Sequence, residues 1–130
     1  MDQAAVDTRR LTFLFADVEG STRLAERHGA DAGAALSRYH DLVASAASDL
    51  GGRLFERIGD GAYACFPEAV QAVTAADRLQ TEIGDHDWGV IGRMRIRIAL
   101  VTGEVEVHGD RYYGRPLFRA ARIQALAGGG

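Results

Sequence analysis

Two aspartates stand where apolar runs stop. Asp17 closes the run Leu11-Thr-Phe-Leu-Phe-Ala16 and is followed by Val18-Glu19-Gly20-Ser21-Thr22, a glycine turn leading into a helix. Asp60 lies in Ile58-Gly59-Asp60-Gly61, hairpin chemistry between two short apolar runs, because glycine takes φ > 0 without steric cost. If that hairpin pairs beside the first strand, both carboxylates sit at sheet ends and close together, and such a pair needs a cation. Oxygen-only ligands suit a hard ion such as Mg²⁺, which keeps several waters and is completed by substrate phosphates. The plainer reading makes Asp17 a strand-end cap and Asp60 a turn residue. Gly20-Ser21-Thr22 likewise reads either as an ordinary helix start or as an anion site made of backbone N–H groups.

The elements that must position these residues follow from periodicity. Leu11, Phe13 and Phe15 alternate with Thr12, Leu14, Ala16 and Val18, so the first strand is apolar on both faces and has to be covered on both. Ser21 to His28 forms a short helix closed at Gly29. A longer helix from about Asp31 to Leu50 carries the stripe Ala35, Leu36, Tyr39, Leu42, Val43, Ala46 and Leu50, and Gly51-Gly52 stops it. After the hairpin, Phe66-Pro67 opens a helix that buries Val70, Val73, Ala76, Leu79 and Ile83. Residues 84–92 form a loop. Arg93 to Leu100 alternates as a half-buried strand, with Met94, Ile96, Ile98 and Leu100 opposite three arginines, and Val105 to Val107 is a short further strand. Arg115-Pro116 begins a last helix through Ala127. The order predicts an α+β domain, a ferredoxin-like βαββαβ sheet with its helices on one face.

The whole sequence, 130 residues, suits one domain with its own core. Residues 1–9 read as an N-terminal tail and 10–130 as the domain. Eighteen acidic residues against 15 basic ones give a net charge of −3, which argues against a nucleic-acid partner. All the basic residues are arginines, so no lysine chemistry is open to the chain. Cys65 is the single cysteine and fits a reducing, cytoplasmic setting. No apolar run approaches the ~20 residues of a membrane span. His28, His40, His86 and His108 lack metal-ligand spacing and read as surface residues. Tyr112-Tyr113 reads as packing.

Phe13-Leu-Phe-Ala-Asp17-Val-Glu-Gly-Ser-Thr22, Ile58-Gly-Asp60-Gly61, Ile96-Arg-Ile-Ala-Leu-Val-Thr-Gly-Glu104, and Tyr113-Gly114 with Ala120-Ala121-Arg122 resemble, in order, the class III adenylate/guanylate cyclase catalytic domain, most closely its bacterial branch. The resemblance implies a lyase of cyclic nucleotide biosynthesis and signal transduction, acting on ATP or GTP with two Mg²⁺ or Mn²⁺ ions. Asp17 and Asp60 match the family's metal-binding aspartates and the Val18 carbonyl a main-chain ligand; Gly20, Ser21 and Thr22 match its phosphate contacts. Glu56 falls where guanylate cyclases carry glutamate and adenylate cyclases lysine, and a carboxylate accepts bonds from guanine N1 and N2. Arg111 matches neither the adenine-type aspartate nor the guanine-type cysteine; it either pairs with Glu56 in the purine pocket or is a solvated turn residue.

Arg122 matches the arginine that stabilises charge in the transition state, or else it belongs to a helix-surface ladder with Arg115 and Arg119. Phe118 replaces the asparagine that orients the ribose. The sequence lacks the family's last strands and its triphosphate-binding lysine, as expected of a truncated piece or a fragment completed elsewhere. A weak or inactive cyclase is one expectation. A catalytically degenerate nucleotide-sensing or dimerisation module of a larger signalling protein is the other. The uncovered second face of the first strand and the family's composite sites both predict a head-to-tail homodimer.

Overall fold

A strand with large apolar side chains on both faces belongs in the middle of a sheet, and β1 (Asp7–Val18) lies there. The computed structural model describes residues 7–115 and residue 117. After β1 come α1 (Ser21–His28), α2 (Ala30–Asp49), β2 (Arg53–Ile58), β3 (Gly61–Phe66), α3 (Ala69–Asp85), a 3₁₀ turn (Gly89–Ile91), β4 (Ile96–His108) and β5 (Arg111–Tyr113). The sheet runs β2-β3-β1-β4-β5 with every neighbouring pair antiparallel. This is the ferredoxin-like arrangement the element order predicts, with one added edge strand.

Alternation along β1 splits its side chains between two clusters. Leu14, Ala16 and Val18 face the helices and pack with Tyr39, Val43 and Ala46 of α2 and with Leu79 and Ile83 of α3. Phe13 and Phe15 point the other way, to Cys65, Ala99, Val101 and Val105. That second face was expected to need a partner molecule. Phe13 is instead 0% and Phe15 6% exposed within the single chain. The reason is curl: a twisted sheet brings its edges round, so Tyr112 of edge strand β5 reaches Phe55 of the opposite edge, 4.9 Å between ring centres, and stacks edge-on to Phe13 at 5.6 Å. Its hydroxyl accepts hydrogen bonds from Arg53 Nη2 at 2.8 Å and Cys65 Sγ at 3.3 Å. Tyr112 is thus a packing residue, as expected, and the uncovered-face argument for a dimer loses its premise.

Other expectations change as well. The buried side of α3 is Ala72, Ala75, Leu79 and Ile83, while Val70 and Val73 are 68% and 56% exposed. Close approach of α3 to α2 and the sheet selects the small alanines over the larger valines one phase round. The two strands expected at 93–100 and 105–107 are one, β4, because Glu104 to Val107 pair with Arg10 to Asp7, which also starts β1 four residues before Leu11. His40, expected at the surface, is 9% exposed on the inner side of α2. Burial is the main reason its pKa falls below the usual histidine value. Trp88, in the expected loop, is a core residue whose Nε1–H donates to the Ile83 carbonyl at 2.9 Å. The last helix expected from Arg115, apart from Arg115 and Leu117, lies outside the described residues.

Gly52 is a close-approach glycine rather than a flexible one. Its N–H donates to the Ala47 carbonyl at 2.8 Å, and a Cβ there would meet the Cys65 carbonyl and lie 2.5 Å from Phe66 Cδ1. Gly52→Ala is therefore expected to destabilise the domain by about 1–3 kcal/mol through overpacking. A denaturant midpoint equal to that of the wild type would show that strand β3 gives way freely.

Candidate functional site

Asp60 reaches the end of β1 because the β2–β3 turn, with Gly59 at φ 57°, places it beside the strand that β3 pairs with. Its Oδ2 accepts the Val18 N–H at 2.9 Å. Asp17 is one residue earlier on β1, directly opposite Arg97 of β4, and its Oδ1 accepts Arg97 Nε–H at 2.7 Å. Both side chains of this ion pair are about one-fifth exposed, at 21% and 22%. Arg97 is held firmly in its charged form, first by the hydrogen bond to Asp17 and further by the carboxylates of Glu19 and Asp60. In the sequence Arg97 is only one of three arginines opposite the apolar side of an alternating strand.

Beneath the carboxylates lies Tyr39, fully buried, its hydroxyl without a hydrogen-bond partner among the described residues. Burial first, and then the charges of Asp60 and Asp17, push its pKa far above the usual tyrosine value, so it stays neutral.

At the end of β1, lined by Val18 and Arg97 and by neither aspartate, opens a cavity of about 740 Å³. Gly20, Ser21, Thr22 and Arg23 line one side, Arg93, Arg95 and Arg97 another. Gly20 takes φ 68° and no side chain among the described residues caps the N-terminus of α1, so the first N–H groups of the helix remain for an anion. The Glu19 N–H donates to the Arg95 carbonyl at 2.8 Å, which ties this loop to the arginine-bearing segment that leads into β4. Within a chain of net charge −3, this wall is locally basic.

A second cavity, about 610 Å³, holds Glu56 and Arg111 together with Phe15, Phe55, Tyr63 and Tyr112. The two polar residues come from β2 and β5, opposite edges of the sheet, and meet through the same curl that seats Tyr112. No ion pair joins Glu56 to Arg111 among the described residues, and both are exposed. Phe118 and Arg122 lie outside the described residues.

The donor set can be tested against a metal ion. Among the described residues no group of three or more His, Cys, Asp or Glu side chains is placed to hold one, so a closed protein cage is not built here. A hard divalent ion completed by phosphates asks for less, one or two carboxylates. Asp17 and Asp60 each have one oxygen engaged, by Arg97 and by the Val18 N–H, and one left over among the described contacts. The residues fit that sparser kind of site.

Comparison with known proteins gives the class. No family model matches the sequence. An uncharacterised protein of Mycobacterium tuberculosis is 34% identical over 127 residues, covering 95% of this chain and 41% of that protein. A receptor-type adenylate cyclase of Trypanosoma congolense is 31% identical over 165 residues, covering 95% of this chain and 22% of the other. Among solved structures, an adenylate/guanylate cyclase/hydrolase from Silicibacter pomeroyi superposes with a TM-score of 0.80 at 27% identity, over 94% of this chain and 73% of that one. Further cyclase domains superpose with TM-scores of 0.82 and 0.83. The chain spans less than half the length of the curated relatives named here. Its fold is that of the class III adenylyl/guanylyl cyclase catalytic domain, and its relatives include adenylate cyclases. No helix among the described residues is long and apolar enough to cross a membrane.

Proposed function

We propose that this is a nucleotide cyclase domain of the bacterial branch, which converts ATP or GTP into the 3′,5′-cyclic monophosphate and pyrophosphate, at a low rate. The observation that carries the reading is the meeting of Asp17 and Asp60 at Val18, beside a cavity walled by arginines and an uncapped helix start. In the reaction the ribose 3′-oxygen bonds to the α-phosphorus, its proton passes to solvent water, and the bond from the α-phosphorus to the oxygen bridging the β-phosphate breaks, so that pyrophosphate leaves. Asp17, Asp60 and the Val18 carbonyl would hold two Mg²⁺ or Mn²⁺ ions, which when bound activate the hydroxyl and neutralise the leaving pyrophosphate. The N–H groups of Gly20, Ser21 and Thr22 and the guanidinium of Arg97 bind and orient the phosphates. Arg122 supplies charge to the transition state.

Glu56 and Arg111 face the purine. A carboxylate accepts from guanine N1 and N2, so GTP is expected to bind more tightly than ATP, and Glu56→Lys should narrow or reverse the difference by about tenfold, the worth of one charge-assisted hydrogen bond. Equal affinities before and after the change would remove Glu56 from the base pocket.

A second reading, a nucleotide-sensing or dimerisation module without turnover, is favoured by Phe118 in place of a ribose-orienting donor and by Arg111. A turnover assay with Mn²⁺ and radiolabelled ATP or GTP separates the two. The family resemblance also favours a homodimer with sites shared across a two-fold axis, and the single cysteine, Cys65, favours a cytoplasmic setting. Sedimentation equilibrium at micromolar concentration checks the dimer; a clean monomer removes it.

A further inference from the structure

Arg97 places a permanent positive charge on the carboxylate that the proposed function gives to a metal ion. Its Nε lies 2.7 Å from Asp17 Oδ1, and the pairing is built into the sheet, since Asp17 and Arg97 are direct register partners on β1 and β4. An arginine cannot give up its proton to make way. A divalent ion approaching Asp17 alone must displace the guanidinium or bind against its repulsion. Asp60 differs: its partner is the Val18 N–H at 2.9 Å, a neutral donor that repels no cation.

The same guanidinium borders the cavity with the uncapped start of α1, Arg23 and Arg95, where a triphosphate would offer it a second anionic partner. The backbone of both strands is fixed by pairing, so the side chain is the part free to change partners. We propose that Arg97 is an internal counter-ion of the metal site: it holds Asp17 while nucleotide is absent and passes to the phosphates when nucleotide arrives. The metal ion then binds weakly alone and strongly together with the triphosphate, and by linkage each raises the affinity of the other by the same factor. The inference rests on the reading of Asp17 as a metal-binding carboxylate.

The test is titration of Mn²⁺ alone, followed by electron paramagnetic resonance of the free ion, against the wild type and the variants Arg97→Gln, Arg97→Lys and Arg95→Gln, with circular dichroism to verify folding. Arg97→Gln is expected to bind Mn²⁺ about three- to tenfold more tightly, the range for removing one partly exposed charged contact. Arg97→Lys, which keeps the charge, should return to weak binding. Arg95→Gln removes a charge from the same cavity but no bond to Asp17 among the described residues, and should change less. A non-reactive GTP or ATP analogue should then raise Mn²⁺ affinity by a larger factor in the wild type than in Arg97→Gln.

Mn²⁺ binding by Arg97→Gln that is no tighter than wild type, or an equal gain in Arg95→Gln, overturns the counter-ion role. Asp17→Asn separates that failure from failure of the underlying reading. If it still lowers affinity for Mn²⁺ with the analogue, the metal site stands without the counter-ion; if it does not, both fall.

Discussion

Asp17→Ala and Asp60→Ala are each expected to lower the affinity for Mn²⁺ with nucleotide by at least the roughly 10–100-fold that loss of even an outer partner of a metal ligand costs. The domain should stay folded in both, because neither side chain belongs to an apolar cluster and both are only partly buried. The structural side effects differ between the two. Asp60→Ala strips the acceptor from the Val18 N–H, a loss of about 1 kcal/mol. Asp17→Ala leaves the Arg97 guanidinium, one-fifth exposed, to water. Asp60→Asn distinguishes the two roles of that residue, since its amide oxygen still accepts from Val18 while the charge that would attract a metal ion is gone. Calorimetry with Mn²⁺ and a non-reactive analogue is the measurement. Unchanged affinity in all three variants would falsify the metal-site assignment and return Asp17 and Asp60 to the roles of strand-end cap and turn residue.

Phe118→Asn is expected to raise cyclic nucleotide production by about 10²–10³, the rate commonly carried by one donor aimed at a transition state. Phenylalanine offers no hydrogen bond, whereas asparagine supplies both a donor and an acceptor to a ribose hydroxyl. The gain should appear in turnover at saturating nucleotide more than in binding, because a group that orients the attacking oxygen acts on the chemical step. A wild-type protein already turning over at full rate would show that the substitution is harmless. An unchanged low rate in Phe118→Asn would place the deficit elsewhere, with Arg111 the next position to change.

The local elements of this domain were legible because each has its own periodic or steric signature. Apolar alternation through Leu11 to Val18 marked the strand, Gly29 closed α1, and Gly51 at φ 83° stopped α2. The Gly59-Asp60-Gly61 turn marked the hairpin, and with it the two aspartates that could meet. Phase and pairing were not legible to the same degree. Alanines and valines on α3 compete for the same apolar stripe, and which set is buried depends on how closely α2 and the sheet approach. The role of Arg97 was invisible in a strictly alternating strand, since an arginine on the polar face looks like any solvated one until the register with β1 sets it opposite Asp17. Glu56 and Arg111, more than fifty residues apart, share a cavity only because the sheet curls far enough to bring β5 over towards β2. Periodicity reports the backbone a segment adopts and the side it buries. Register and curl are sums of small twists and pairings over five strands, and no single stretch of the chain carries them.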